Sequence, residues 1–266
     1  MNAIIAGIFS IALYSVSATL IAKETYNAAT PKRTPLYLAW AAAGLHSLYA
    51  ALIFSQRRYF NFGFFNTASL MALLVALLLL IAVLNKPVEK LGVIVFPLAA
   101  AMLGLDMLYP EELHVVSTHN WQMNTHILSS ITAFSLLNIA ALQAILLAIQ
   151  NRQLRSHQPK RLIASLPPLQ AMESLLFQMI LLGLFFLSIS LITGFLFIED
   201  LFAQHLVHKT VLSIIAWLIF TGLLFGRIRY GWRGQTAVHW TLAGFVLLLL
   251  AYFGSKLVLE LILNKV

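Results

Sequence analysis

The chain has no cysteine and very little charge, and each shortage closes off chemistry. With no cysteine among 266 residues, there are no disulfides, no covalent thioether attachment of haem and no thiolate metal site. Only 10% of the residues are charged, and just 9 are Asp or Glu, against roughly 25% charged in an ordinary soluble domain. No paired carboxylates fall within the apolar stretches, and no nucleophile–base spacing or metal-ligand box is present, so the sequence carries no signature of an enzyme. Prolines number 8 and fall mostly between apolar stretches, where they act as breakers.

What the chain has instead is apolar length. Hydrophobic residues make up 61% and the mean hydropathy is +0.88. A soluble globule could not hide that much apolar surface, so most of the chain has lipid as its solvent. Eight stretches reach the length of about 20 residues that a spanning helix needs: 2–22, 36–54, 63–84, 91–109, 125–150, 172–198, 209–227 and 239–262. The expected fold is all-α, a polytopic transmembrane bundle of eight helices forming one integral-membrane domain over 1–266. No internal repeat is visible. The first stretch lacks a basic n-region, which favours a retained anchor over a cleaved signal peptide.

The net charge of +8 comes without any basic run interleaved with aromatics, so nucleic acid is not an expected partner. The Lys and Arg read as loop charges that set orientation. Lys23, Lys32, Arg33, Lys86, Lys90, Arg152, Arg155, Lys160, Arg161, Arg227, Arg229 and Arg233 fall on one side. Arg57, Arg58, Lys209, Lys256 and Lys265 fall on the other. The richer side is expected to be cytoplasmic, leaving both termini outside.

With so few charges, the histidines draw attention. On this topology His114, His119, His126, His205 and His208 lie at the outer surface, His157 and His239 are cytoplasmic, and His46 sits deep in the second span. Neutral imidazoles gathered at one face suit a transition metal or haem iron, whereas loop histidines in general are simply solvated. His126 differs, because an unbroken apolar helix follows it and the ring cannot merely point into water. His46 is the one ionisable group deep in a span, and such groups face the bundle interior when they occur. It is read either as functional or as bonded to a neighbouring backbone carbonyl. Asp106 lies near an outer helix end, and Lys256 and Glu260, four apart, are expected to pair.

The second half has its own landmarks. Pro167-Pro168-Leu169-Gln170-Ala171-Met172-Glu173 leads into the sixth stretch, which closes on Leu191-Ile192-Thr193-Gly194. Lys209 opens the seventh, eight residues before Trp217. Gly231-Trp232-Arg233-Gly234 follows it, and the last stretch contains Ala251-Tyr252-Phe253-Gly254. Physically these read as an amphipathic approach, a glycine that permits close helix contact, an interfacial anchor and a small-residue contact. Taken in order, they resemble the cytochrome c assembly family, whose members include CcsA, and within it the bacterial inner-membrane YpjD branch. The resemblance is strongest over 120–266.

That resemblance implies a membrane protein that handles haem at the outer face, between two histidines and beneath a tryptophan-rich loop, for delivery to apocytochrome. The family's first outer histidine falls on His126, and its lysine after the tryptophan-rich motif falls on Lys209. The stretch Glu199–His208 contains no tryptophan, the motif's acidic residue falls on Val207, the histidine near the inner end of that helix on about Phe225, and the second outer histidine on about Leu263. A second axial nitrogen must then come from His208, His119 or His205, with His208 leading because it stands just before the seventh helix at a depth similar to His126. Trp121 and Phe202 are expected to offer apolar contact to the macrocycle. The function expected is a haem-handling or accessory factor, not an enzyme, with the bilayer and other cytochrome c maturation or membrane proteins as partners, in the bacterial inner membrane. The alternatives are a divergent scaffold or partner subunit that kept the bundle and lost haem, and a small-solute transporter. Against the transporter stand the few polar groups within the spans (His46, Asn138, Gln143 and Gln178).

Overall fold

Between helices surrounded by lipid there is no hydrophobic driving force, so close backbone approach and hydrogen bonds across the seam must hold them together. The computed structural model describes residues 2–27, 32–57, 64–109, 121–155, 168–197 and 207–254. In order they form α1 (Ala3–Tyr26), α2 (Thr34–Arg57), α3 (Phe64–Asn85), a short 3-10 turn (Glu89–Leu91), α4 (Gly92–Leu108), α5 (Trp121–Arg155), α6 (Leu169–Phe197), α7 (Val207–Tyr230) and α8 (Gly234–Leu249). A π-helical turn over Leu250–Gly254 ends the series. Eight of these segments are long and apolar enough to cross a membrane, at the places the hydropathy predicts. The protein is an all-α, eight-span bundle.

The helices gather into two compact units, α1–α4 and α5–α8. Within each unit every helix packs against its chain neighbours, and the fourth closes back on the first. The neighbour order is thus the same in both, although the sequence shows no repeat. In the first unit, the buried residues of α1 are Ala3, Ala6, Gly7, Ser10, Tyr14, Ser17, Ala18, Ile21 and Thr25. Their three- and four-residue spacing makes one stripe. Ala39, Ala42 and Ala43 of α2 are fully buried, and small side chains let the two backbones approach. Ser10 donates to the Ala42 carbonyl at 2.8 Å and Ser17 to the Pro35 carbonyl at 2.7 Å, both across the α1–α2 seam. In the second unit Gly183 brings α6 onto α5, where an added Cβ would stand 2.7 Å from Leu137 Cγ.

Helix ends differ from the expected bounds where polar residues continue a helix beyond its apolar stretch. α5 starts at Trp121 and ends at Arg155, several residues beyond 125–150 at both ends, and Thr125 bonds back to the Trp121 carbonyl at 2.9 Å. α8 starts at Gly234, five residues before the expected 239. The link before it turns through positive φ at Gly231 (67°) and Gly234 (55°), a backbone region that favours glycine. Pro168 stands immediately before α6, its carbonyl accepting from the Ala171 and Met172 amides, as expected for a proline at a helix entry. Pro97 lies inside α4, a position tolerated in spanning helices.

Two glycines should respond in opposite directions to one methyl group. Gly183→Ala should lower unfolding stability in detergent by about 1–3 kcal/mol, because the new Cβ overpacks Leu137. Gly44 of α2 has nothing within 4 Å of an added Cβ, so Gly44→Ala should raise stability by about 0.5–1 kcal/mol through helix propensity. Denaturant unfolding of the two purified variants checks both signs, and a shared sign would contradict this packing.

Candidate functional site

Each unit holds one histidine in a hydrogen-bonded setting built from several helices. In the first unit His46 is fully buried, facing the bundle and not lipid. Its Nε2 lies 3.0 Å from Ser69 Oγ of α3. Tyr14 of α1 meets the imidazole edge-on, with centroids 6.1 Å apart at 81°, and stacks on Phe96 of α4 at 5.8 Å. All four helices of the unit therefore contribute a side chain around His46. Two buried polar atoms there, His46 Nδ1 and Tyr14 Oη, have no hydrogen-bond partner among the described residues. Nearer the end of α4, buried Asp106 accepts from Asn66 Nδ2 at 3.3 Å, which fixes it against α3.

In the second unit His126 lies in the second turn of α5 and is half-buried. Its Nδ1 is 2.9 Å from the Ser190 carbonyl oxygen of α6. A carbonyl can only accept, so Nδ1 carries the hydrogen and Nε2 of the neutral ring keeps its lone pair. Thr193 supports this arrangement. Its hydroxyl donates to the same carbonyl at 3.0 Å and lies 3.4 Å from Nδ1. Gly194 makes room for the ring, since a Cβ there would stand 3.2 Å from Cε1. One turn along α5, Ser130 donates to the His126 carbonyl at 2.6 Å and meets Ser190 Oγ at 2.5 Å. Tyr252, on the π-helical turn, packs its ring 5.0 Å from Phe134 of α5.

The other candidate residues are placed as follows. Trp121 opens α5, is largely exposed, and lies 6.1 Å from the Phe197 ring at the end of α6. His208 is exposed in the first turn of α7, and Lys209, next to it, is partly buried. No hydrogen bond or ring contact among the described residues joins His208 to His126. Trp217 donates to Ser188 Oγ at 2.8 Å, so it fastens α7 to α6. Phe225, where the family's inner histidine falls, is exposed. His114, His119, His157, Phe202, His205, Lys256, Glu260 and Leu263 lie outside the described residues. Among the described residues no group of three or more His, Asp or Glu could hold a metal ion.

Sequence reasoning reached His46 and His126 but not Ser69, Tyr14, Ser130 or Ser190. Part of the signal is in the sequence: the landmark Thr193-Gly194 stands against His126. Glu173 also stood out only as part of the approach to α6. It is buried, and its Oε2 accepts from Arg233 Nε at 2.8 Å while Oε1 accepts the Gly234 amide at 2.5 Å. The carboxylate therefore holds the start of α8 to the start of α6.

Fold and composition together define a multi-pass helical membrane protein. The sequence profile of the cytochrome c assembly protein family matches residues 34–263, and the chain belongs to that family. It is 35% identical over 206 residues to inner membrane protein YpjD of Escherichia coli strain K12, covering 76% of both chains, and equally to YpjD of Escherichia coli O157:H7. It is 32% identical over 144 residues to an uncharacterized 28.8 kDa protein of Azospirillum brasilense, covering 53% of both. No solved structure matches the chain.

The buried His46–Ser69 contact generates a test of its own. Ser69→Ala should cost about 1–3 kcal/mol, because it leaves a buried imidazole without a partner. Adding His46→Leu to that variant should recover most of the loss. A double-mutant cycle in detergent reads the coupling, and strictly additive losses would show that the two side chains do not depend on each other.

Proposed function

We propose that this protein is a haem-handling accessory factor of cytochrome c assembly in the bacterial inner membrane, binding its cargo at the end of the second unit where α5 begins. It works by holding and presenting a ligand and not by making or breaking bonds. The observation that carries this reading is the bond from His126 Nδ1–H to the Ser190 carbonyl. Axial histidines characteristically donate their second ring nitrogen to a fixed acceptor, which sets the tautomer and orients the donor. His126 fits that requirement for one axial position, with Nε2 making no hydrogen bond among the described residues. His208, exposed at the same end of the unit, is the candidate for a second nitrogen. The Trp121–Phe197 pair offers apolar surface to a porphyrin face, and Lys209 offers a cation to a propionate. The lysine and arginine distribution supports placing this end outside, with the loop after Arg155 in the cytoplasm. Its partners are then the bilayer and other membrane or cytochrome c maturation proteins.

One observation favours the scaffold reading. The His126 ring also fills the space above Gly194, so it contributes to α5–α6 packing whether or not haem is present. Haem titration of the purified protein separates the two. The wild type should give a low-spin, six-coordinate Soret spectrum. His126→Ala should weaken uptake at least about tenfold, and His208→Ala should leave a five-coordinate species. A bis-histidine spectrum that survives His126→Ala would overturn the assignment, and a wild type that takes up no haem would leave the scaffold. Reporter fusions test the orientation: a fusion after Arg155 should read as cytoplasmic and one at the C-terminus as external. A cytoplasmic C-terminus would refute the topology.

A further inference from the structure

At the opposite end of the second unit, the last turn of α5 and the first turns of α6 and α8 line a cavity of about 550 Å³ that is open to the surface. That volume is in the range of cavities that hold small ligands. Asn151, Arg155, Gln170, Arg233, Gln235 and Thr236 line it, together with Glu173. Among the described residues Glu173 is the only acid in the lining, and both its oxygens are already taken, one by Arg233 Nε and one by the Gly234 amide. The terminal nitrogens of Arg233 make no hydrogen bond among the described residues, and neither does the Arg155 guanidinium. The cavity therefore presents two guanidinium groups against one committed carboxylate, with a surplus of positive charge. Its neutral groups are three side-chain amides and a hydroxyl, all able to donate.

The depth of the cavity narrows the ligand further. Spanning helices end here, and the Tyr230 and Trp232 rings stack 6.4 Å apart beside it, as aromatics do at a membrane–water boundary. An anion with several oxygens at that depth suits the planar fork of arginine, which pairs with phosphate through two parallel hydrogen bonds. Basic pockets between helix ends are where lipid head groups bind. We propose that this cavity binds a phosphate group, supplied by the head group of an anionic lipid, with Arg155 and Arg233 as its cationic contacts. The site is separate from His126 and does not depend on haem.

The test uses the full-length protein in a neutral detergent, titrated with short-chain phosphatidylglycerol, with phosphatidylcholine of the same chain length, and with sodium phosphate. Binding is read by native mass spectrometry and by the shift in Tm. Phosphatidylglycerol should bind and raise the Tm, well ahead of phosphatidylcholine. Arg155→Gln should weaken that binding about tenfold, the loss expected when one charge-assisted contact goes, and Arg155→Lys should fall between. If sodium phosphate displaces the lipid, free phosphate is also a ligand of the site; if it does not, the site requires the lipid. Should Arg155→Gln fail to fold, Arg155→Lys, which keeps the charge and loses the planar fork, supplies the comparison. Equal binding of phosphatidylglycerol by wild type and the folded variant would overturn the proposal.

Discussion

The hydrocarbon core of a bilayer offers no water, so every polar group that enters must find its partner within the protein. That constraint organises both units. Most hydroxyls on the spans either return to their own helix, as Thr125 does to Trp121 and Thr241 to Ala237 at 2.7 Å, or cross to a neighbour, as Ser10 and Ser17 do; Ser135 and Thr221 do neither among the described residues. Gln143 reaches across to the Met172 carbonyl at 3.3 Å. Since apolar contact with a neighbouring helix is no better than contact with lipid, these crossings and the close glycine and alanine contacts decide which helix touches which. The histidines are where the rule is met least fully: among the described residues His46 Nδ1 and Tyr14 Oη have no partner, and at His126 the Ser190 carbonyl satisfies one ring nitrogen.

The two units share an order of neighbours but hold their histidines differently. In the first, the ring is enclosed by side chains from four helices and sees no surface. In the second, the ring sits near a helix start and bonds the Ser190 carbonyl, which Thr193 also reaches, while the Ser130 and Ser190 hydroxyls meet one turn along.

The spans were legible in the sequence because hydropathy over about 20 residues depends on nothing outside the window. What was not legible depends on distant partners. α8 begins five residues before its apolar stretch, where the residues are polar. In the folded chain a carboxylate 61 residues earlier in sequence accepts the Gly234 amide and defines the helix entry. His126 was expected just before or within the first turn of its helix; the polar residues before it continue that helix back to Trp121. Its acceptor, 64 positions away, is a backbone carbonyl, which no residue type can announce. Local landmarks such as Thr193-Gly194 were visible, but their meaning came only from what lies opposite.

The Glu173–Arg233 pair carries a consequence for the way the chain is made. The two residues are separated by 60 positions, so the carboxylate at the start of α6 leaves the ribosome long before the guanidinium and the α8 amide that will receive it. A buried acid without those contacts is costly, so through that interval Glu173 has to stay in water, and the start of α6 with it. The α5–α6 hairpin can enter the membrane early, but the edge that meets α8 stays unfinished until the last span arrives. Synthesis order thus makes the docking of α8 the step that closes the second unit.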